Sequence, residues 1–302
     1  MSTVFIGTSE FAAAVLERLA RSDAHRPALV ITRPDRPSGR GRRVAAPPVA
    51  DSARALEIAL EQPRSVNDEQ ARTQIADALG GSGTVVVCAF GALIKEPLLS
   101  DHELLNVHPS LLPRWRGAAP VERAIIAGDT QTGVSIMRLT AGLDSGPVCL
   151  SGADPIRPED TYGTLSARLQ ALGGELLVRA LDHKPPFTEQ PEYGVTYAEK
   201  LGSADRLLDP ARPALELERV VRALHPHIGA RAQLADGSML GVHRAALLDG
   251  VSLGEPGPSV REGRLLLQCT PGVLELTLVQ PPAGRAMDAA DYLRGHGLPS
   301  RG

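Results

Sequence analysis

Cysteine is scarce in this chain of 302 residues. The three present, Cys88, Cys149 and Cys269, are odd in number and widely separated, which argues against a disulfide framework or a zinc ligand set. No metal is expected. Long apolar runs are also missing, so nothing reads as a membrane span. Met1-Ser-Thr-Val-Phe-Ile-Gly7 has neither the basic start nor the apolar stretch of a signal peptide. A cytoplasmic protein is the expectation. Basic charge is not in excess: the net charge of −3 does not mark the chain as a nucleic-acid binder. Finally, Gly7-Thr-Ser-Glu-Phe-Ala12 follows a strand but lacks the second and third glycines of the dinucleotide fingerprint, and there is no Walker loop. A dinucleotide cofactor is therefore not expected.

What is there suits two globular domains, with 43% hydrophobic and 22% charged residues. The first half alternates buried strands (Thr3 to Ile6, Ala28 to Ile31, Thr84 to Val87, Leu104 to Val107) with amphipathic helices such as 68–79 and 121–127. Further strands are read at Thr132 to Leu139 and Pro147 to Leu150, with a turn at Gly142 to Gly146. Strands apolar throughout and interleaved with helices indicate a mainly parallel α/β sheet, Rossmann-like, covered on both faces. A long helix over 162–181 stops at Lys184-Pro-Pro186. Residues 187–206 show little apolar periodicity and read as a connector. A helix at 214–224 follows, then short strands at 230–234, 238–246, 264–269 and 273–279, split by the hairpin signals Asp236-Gly237 and Pro271-Gly272. Several short strands in under a hundred residues suggest a small OB-like β-barrel. Gly254 to Pro258 reads as an ordinary loop. The expected division is 1–188, a linker at 189–206, and 207–302.

The chemistry gathers at Leu104-Leu-Asn106-Val-His108-Pro109. Alternation along a strand puts Asn106 and His108 on one face, and Pro109 ends the ladder for want of an N–H. An amide beside an imidazole, at the carboxyl end of a parallel strand, can hold and polarise a carbonyl. Asp144, in Gly142-Leu-Asp144-Ser-Gly146, adds a carboxylate on a glycine-flanked turn. Its plain alternative is an Asx-turn, as His108 could be a structural histidine. Together the three match proton shuttling around a tetrahedral intermediate. No serine or cysteine has a comparable setting, so direct acyl transfer fits better than a covalent intermediate.

One further signal is local. Between Arg33 and Arg43 stand five arginines and one acid, Asp35, whereas arginines and acids balance from Asp205 to the end. Such a run is commonly a solvated surface loop. Here Pro34, Pro37, Gly39 and Gly41 shape it, and it follows the second strand on the ligand-binding edge. Guanidinium groups on such a loop suit phosphate neutralisation and contact with base edges in a groove.

The stretch Asn106 to Pro120, with Thr132-Gly-Val-Ser-Ile136 and Gly142-Leu-Asp-Ser-Gly146, resembles the folate-dependent formyltransferases. The resemblance runs nearly end to end, through Phe5 to Ala12, Thr32 to Gly41 and Val195 to Leu201. It departs from the usual residues at Arg138, Thr140 and Ala141. It also lacks tryptophans early in the second domain, where Asp209-Pro210 and His225-Pro-His227 stand. The resemblance implies a formyltransferase domain followed by an OB-like domain that orients tRNA. The co-substrate implied is 10-formyltetrahydrofolate, and the acceptor is the α-amine of methionine on initiator tRNA. A nucleotide-linked amino sugar is the alternative acceptor. The catalytic set implied is Asn106, His108 and Asp144. Ser110, Leu111, Leu112 and Pro113 would contact the folate, and Cys88, Ala89, Phe90 and Gly91 would line the pterin pocket. Arg40 would sense the weak first base pair of the tRNA, assisted by Arg36, Arg42 and Arg43, in a monomeric enzyme.

Overall fold

A computed structural model of the chain describes residues 2–38, 43–248 and 254–296. It divides into two compact units: Met1–Pro120 with Gln131–Pro155 and Ser166–Ala198, and Val121–Thr130 with Ile156–Leu165 and Glu199–Gly302.

The first unit is built on a seven-stranded sheet. Five strands run parallel, in the spatial order Glu103–His108, Gly83–Cys88, Ser2–Gly7, Leu29–Ile31, Ala59–Glu61. Gln131–Arg138 and Val148–Pro155 complete one edge antiparallel. The sheet is therefore mainly parallel, as its apolar strands require, and Val148–Pro155 runs on well past the expected Leu150. Ser9 opens the helix Glu10–Ala20 by accepting the N–H of Ala12, and the face carrying Phe11, Val15, Leu16 and Leu19 is buried. The helix Glu69–Leu79 stops at Gly80, whose φ of 61° closes the last turn as a side chain would resist.

Chain order and spatial order part company between Ser2–Gly7 and Gly83–Cys88. The chain first builds outward to Ala59–Glu61, then crosses back. Such a switch point opens a crevice beyond the strands' carboxyl ends. Gly7 and Cys88 are the paired last residues of the two strands that flank it. One face of the sheet is filled by Val4, Ile6, Leu29, Ile31, Val85, Val87 and Leu104. By parity, Asn106 and His108 continue the face that Leu104 begins.

The arginine-rich stretch is not wholly a loop. Arg36–Ser38 and Arg43–Ala45 pair as an antiparallel ribbon. Arg40 and Arg42 lie outside the described residues, as does the side chain of Arg43, while Arg36 is exposed.

The second unit carries an antiparallel sheet in the order Ala230–Gln233, Met239–Leu248, Val273–Gln280, Arg264–Gln268, Gly257–Arg261. It curls as an OB-like half-barrel, bent by register shifts at Val242 to Ala245. Leu217, Val221 and Leu224 of the helix Ala214–Leu224 close its core with Leu240, Val242, Leu274 and Leu276. The expectation of a plain loop at Gly254 to Pro258 needs correcting at its end. Gly257–Arg261 is an edge strand, joined to Arg264–Gln268 through Glu262 and Gly263 with φ of 52° and 73°. Two positive φ values make this the primed hairpin turn that suits strand twist. Glu-Gly is a weaker signal for it than Asn-Gly.

Candidate active site

The strand Glu103–His108 reaches His108, so Asn106 and His108 do share a face, and both are buried. Asp144 meets them from the turn between the two antiparallel strands. Asn106 Nδ2 donates to Asp144 Oδ1 at 3.4 Å, and His108 Nδ1 lies 3.6 Å from Asp144 Oδ2. The backbone N–H of Gly117 donates to the same Oδ2 at 2.8 Å. On its other side the ring meets the carbonyl of Trp115, 2.8 Å from His108 Nε2. A carbonyl only accepts, so Nε2 carries a hydrogen in either charge state. The neutral ring then turns the lone pair of Nδ1 towards Asp144, the orientation in which Nδ1 can take up a proton beside a carboxylate.

Three backbone positions here sit at positive φ: Trp115 at 62°, Gly117 at 119° and Asp144 at 43°. Non-glycine residues in that region cost about 1–3 kcal/mol and persist only where the surroundings hold them. The connector supplies those holds. Thr196 Oγ1 accepts the N–H of Trp115 at 2.9 Å, and Thr196 O accepts that of Arg116 at 2.9 Å. Tyr197–Ala198 pairs parallel with Arg116–Gly117. Gln190 Nε2 donates to the carbonyls of Asp144 and Gly146, at 2.8 and 2.7 Å. In the sequence this segment reads only as a connector, because polar contacts made by an aperiodic segment leave no repeat to read.

The segment Ser110 to Pro113 is fixed from the neighbouring strand. Ser135, the cross-strand partner of His108, donates through Oγ to Ser110 O at 2.8 Å and accepts the N–H of Leu112 at 3.2 Å. Ser110 Oγ donates to Arg114 O at 2.6 Å. Ser110 is wholly buried, while Leu111, Leu112 and Pro113 are half-buried. The side chains of Cys88 and Phe90 are in the core, and burial pushes the Cys88 thiol far above the ordinary range. Ala89 and Gly91 are exposed, at φ of 41° and 70°. Thr8 Oγ1 donates to Phe90 O at 2.8 Å, and Arg33 Nη1 to Gly91 O at 2.9 Å. Of this stretch, Ala89 and Gly91 are thus the exposed members, while the Cys88 thiol is enclosed in the core. Among the described residues, no set of His, Cys, Asp and Glu gathers as metal ligands, and no helix is long and apolar enough to cross a membrane.

An amide, an imidazole and a carboxylate converging at the carboxyl end of a parallel sheet are groups that can together polarise a carbonyl and move a proton, the requirements of one-carbon acyl transfer. Comparison with known proteins gives the particular. The family profile described as formyl transferase matches residues 1–181, and that of the formyl transferase C-terminal domain matches residues 200–297. This chain belongs to the formyl transferase family. The methionyl-tRNA formyltransferase of Dinoroseobacter shibae is 43% identical over 305 residues, covering 100% of this chain and 99% of that protein. That of Stenotrophomonas maltophilia strain R551-3 is 44% identical over 302 residues, covering 97% of each. Among solved structures, the N-formyltransferase of Helicobacter canadensis with folinic acid and dTDP-3-aminofucose shares the fold. Its TM-score is 0.64, at 14% identity, with 91% of this chain and 98% of that one covered.

Proposed function

We propose that this chain transfers the formyl group of 10-formyltetrahydrofolate to the free α-amine of methionyl initiator tRNA. The observation that carries the reading is the meeting of Asn106, His108 and Asp144 at the sheet's carboxyl end. Near-full-length identity to relatives named for this reaction supports the acceptor. The neutral amine nitrogen attacks the formyl carbon, and the carbonyl electron pair moves onto oxygen. Asn106 Nδ2–H stabilises that oxyanion. His108 Nδ1 accepts the proton the amine nitrogen must lose, and the Asp144 carboxylate stabilises the imidazolium. Collapse of the intermediate breaks the bond from carbon to the folate N10. The electron pair stays on N10, which regains the proton. Leu111 to Pro113, Ala89 and Gly91 are proposed to hold the folate. Arg36, Arg40, Arg42 and Arg43 are proposed to hold the acceptor stem.

The test combines purified protein, 10-formyltetrahydrofolate and charged initiator tRNA, with charged elongator tRNA as control. Formylation of the initiator species alone is expected. No formylation of either tRNA, alongside activity on a nucleotide-linked amino sugar, overturns the assignment. Arg40→Ala should damage tRNA use and discrimination while sparing folate binding. An unchanged initiator preference would remove the arginine stretch from the proposal.

A further inference from the structure

The site's carboxylate sits on a turn that its own side chain does not brace. Asp144 has φ of 43°, and its side chain is committed outward, to Asn106, Gly117 and His108. It is therefore not the Asx-turn residue that would brace its own loop. Beyond the backbone bond from Arg138 N–H to Pro147 O at its base, the turn is tied down by one amide from a distant segment. Gln190 Nε2 spends both hydrogens on it, donating to Asp144 O at 2.8 Å and to Gly146 O at 2.7 Å. Its Oε1 accepts from Arg116 Nε and Nη2 at 3.0 and 2.7 Å. Arg116 immediately precedes Gly117, whose N–H holds the Asp144 carboxylate. Gln190 thus ties together the two stretches between which Asp144 is suspended, one through its donors and the other through its acceptor.

We infer that Gln190 is a positioning residue for formyl transfer, setting the Asp144 carboxylate against His108 through the Asp144–Gly146 carbonyls and Arg116. The inference rests on the proposed function for its assay. The chemistry explains the residue type. Only a side chain with two N–H donors and an acceptor on one planar group satisfies both carbonyls and the guanidinium together. A glutamate of the same length would keep Arg116, with an ion pair, but would face two carbonyls with acceptor atoms only. An asparagine has the right groups on a stem one carbon too short. The distances at stake are small. The 3.6 Å from His108 Nδ1 to Asp144 Oδ2 is already beyond a direct hydrogen bond, so a further retreat of the turn leaves the imidazolium without its partner.

The test is Gln190→Glu, with Gln190→Asn made beside it in case the first does not fold. Each is assayed by steady-state and single-turnover formylation, alone and in an Asp144→Asn background. A misplacement on the order of 1 Å predicts a kcat loss of about tenfold to a hundredfold. KM for both substrates should stay within about threefold, since uniform binding is untouched. In the Asp144→Asn background the same substitution should cost less than about threefold further, because Gln190 acts through a carboxylate no longer there. A folded variant with wild-type kcat overturns the inference. So do losses that multiply in full in the double variant, the pattern of a role in stability alone. Wild-type protein inactive on methionyl-tRNA overturns the proposed function instead, so the two failures are distinguishable.

Discussion

Gly117→Ala should damage catalysis without touching any catalytic side chain. A Cβ on Gly117 would stand 2.7 Å from the carbonyl oxygen of Ala198 and 3.3 Å from its carbon. Neither is free to retreat, since Ala198 O already accepts the N–H groups of Ala118 and Ala119 at 2.8 and 3.2 Å. The backbone is also at φ of 119°, where a side chain adds about 1–3 kcal/mol of strain. The chain at 117 must therefore shift by several tenths of an ångström to reach an ordinary carbon–oxygen contact. That shift falls on the N–H donating to Asp144 Oδ2, and hydrogen bonds to charged groups contribute roughly 1.5–3 kcal/mol. Losing half of one predicts a kcat reduction of about fourfold to tenfold, and losing all of it predicts about tenfold to a hundredfold or slightly more. Strain alone should lower the melting temperature by about 2–10 °C. Single-turnover formylation and thermal unfolding read the two effects separately. Gly263→Ala is the control, with φ of 73° and nothing within 4 Å of its added Cβ. It should lose some stability and no activity. Gly117→Ala with wild-type kcat would refute the role given to the Gly117 N–H. Equal activity losses in both variants would refute its locality.

Asp144→Asn keeps the shape and can still accept the Gly117 N–H but cannot stabilise an imidazolium. The expected loss in kcat is about 10²- to 10⁴-fold with KM nearly unchanged, and undiminished turnover would remove the carboxylate from the proton path. Ser135→Ala leaves Ser110 O and the Leu112 N–H short of a partner in a buried setting. KM for the folate donor should rise severalfold while kcat holds, and stability should fall by about 1–3 kcal/mol. A donor KM equal to wild type would count against a folate role for 110–113. In the second unit, hydrogen bonding from Arg264, above all, holds the Glu275 carboxyl below its ordinary 4.5, against a smaller opposing effect of burial. A depressed folded value gives stability that is complete above the ordinary glutamate range and is lost as pH falls through the depressed value. Arg264→Met should therefore be less stable near neutrality and converge on wild type in acid. A pH-independent difference in urea unfolding would exclude the linkage.

What could be read ahead of the structure was whatever repeats or breaks a repeat. The strand carrying Asn106 and His108 is announced by apolar residues on both sides of the pleat and stopped by Pro109, and the structure ends it at His108. The helix over 214–224 was legible to the residue, because its buried stripe of Leu217, Val221 and Leu224 follows the helical period. Strands of three residues carry no such period, which is why Leu29–Ile31 was seen only through its wholly apolar content and Ala59–Glu61 was not seen at all. The edge strand Gly257–Arg261 was hidden by its own proline and glycine, residues that a sheet edge admits and a central strand does not.

The candidate site divides the same way. Its three reactive groups stand in motifs, whereas the groups that hold them do not. Gln190, Thr196 and Ser135 act through a few hydrogen bonds to backbone, which for Gln190 and Thr196 join residues more than forty apart in the chain. A hydrogen bond of that kind constrains one atom at each end and leaves the flanking residues free, so it imposes no pattern on the sequence around it. The positive φ at Trp115 and Asp144 was hidden too, since Gly117 is the residue type that advertises it most plainly, Asp144 does so only weakly and Trp115 not at all. Yet the strain shows where the supporting contacts must be. A left-handed Asp whose side chain braces nothing in its own turn requires an outside donor. The carbonyls of Asp144 and Gly146 are where that outside donor attaches, and a single planar amide is the group that meets both.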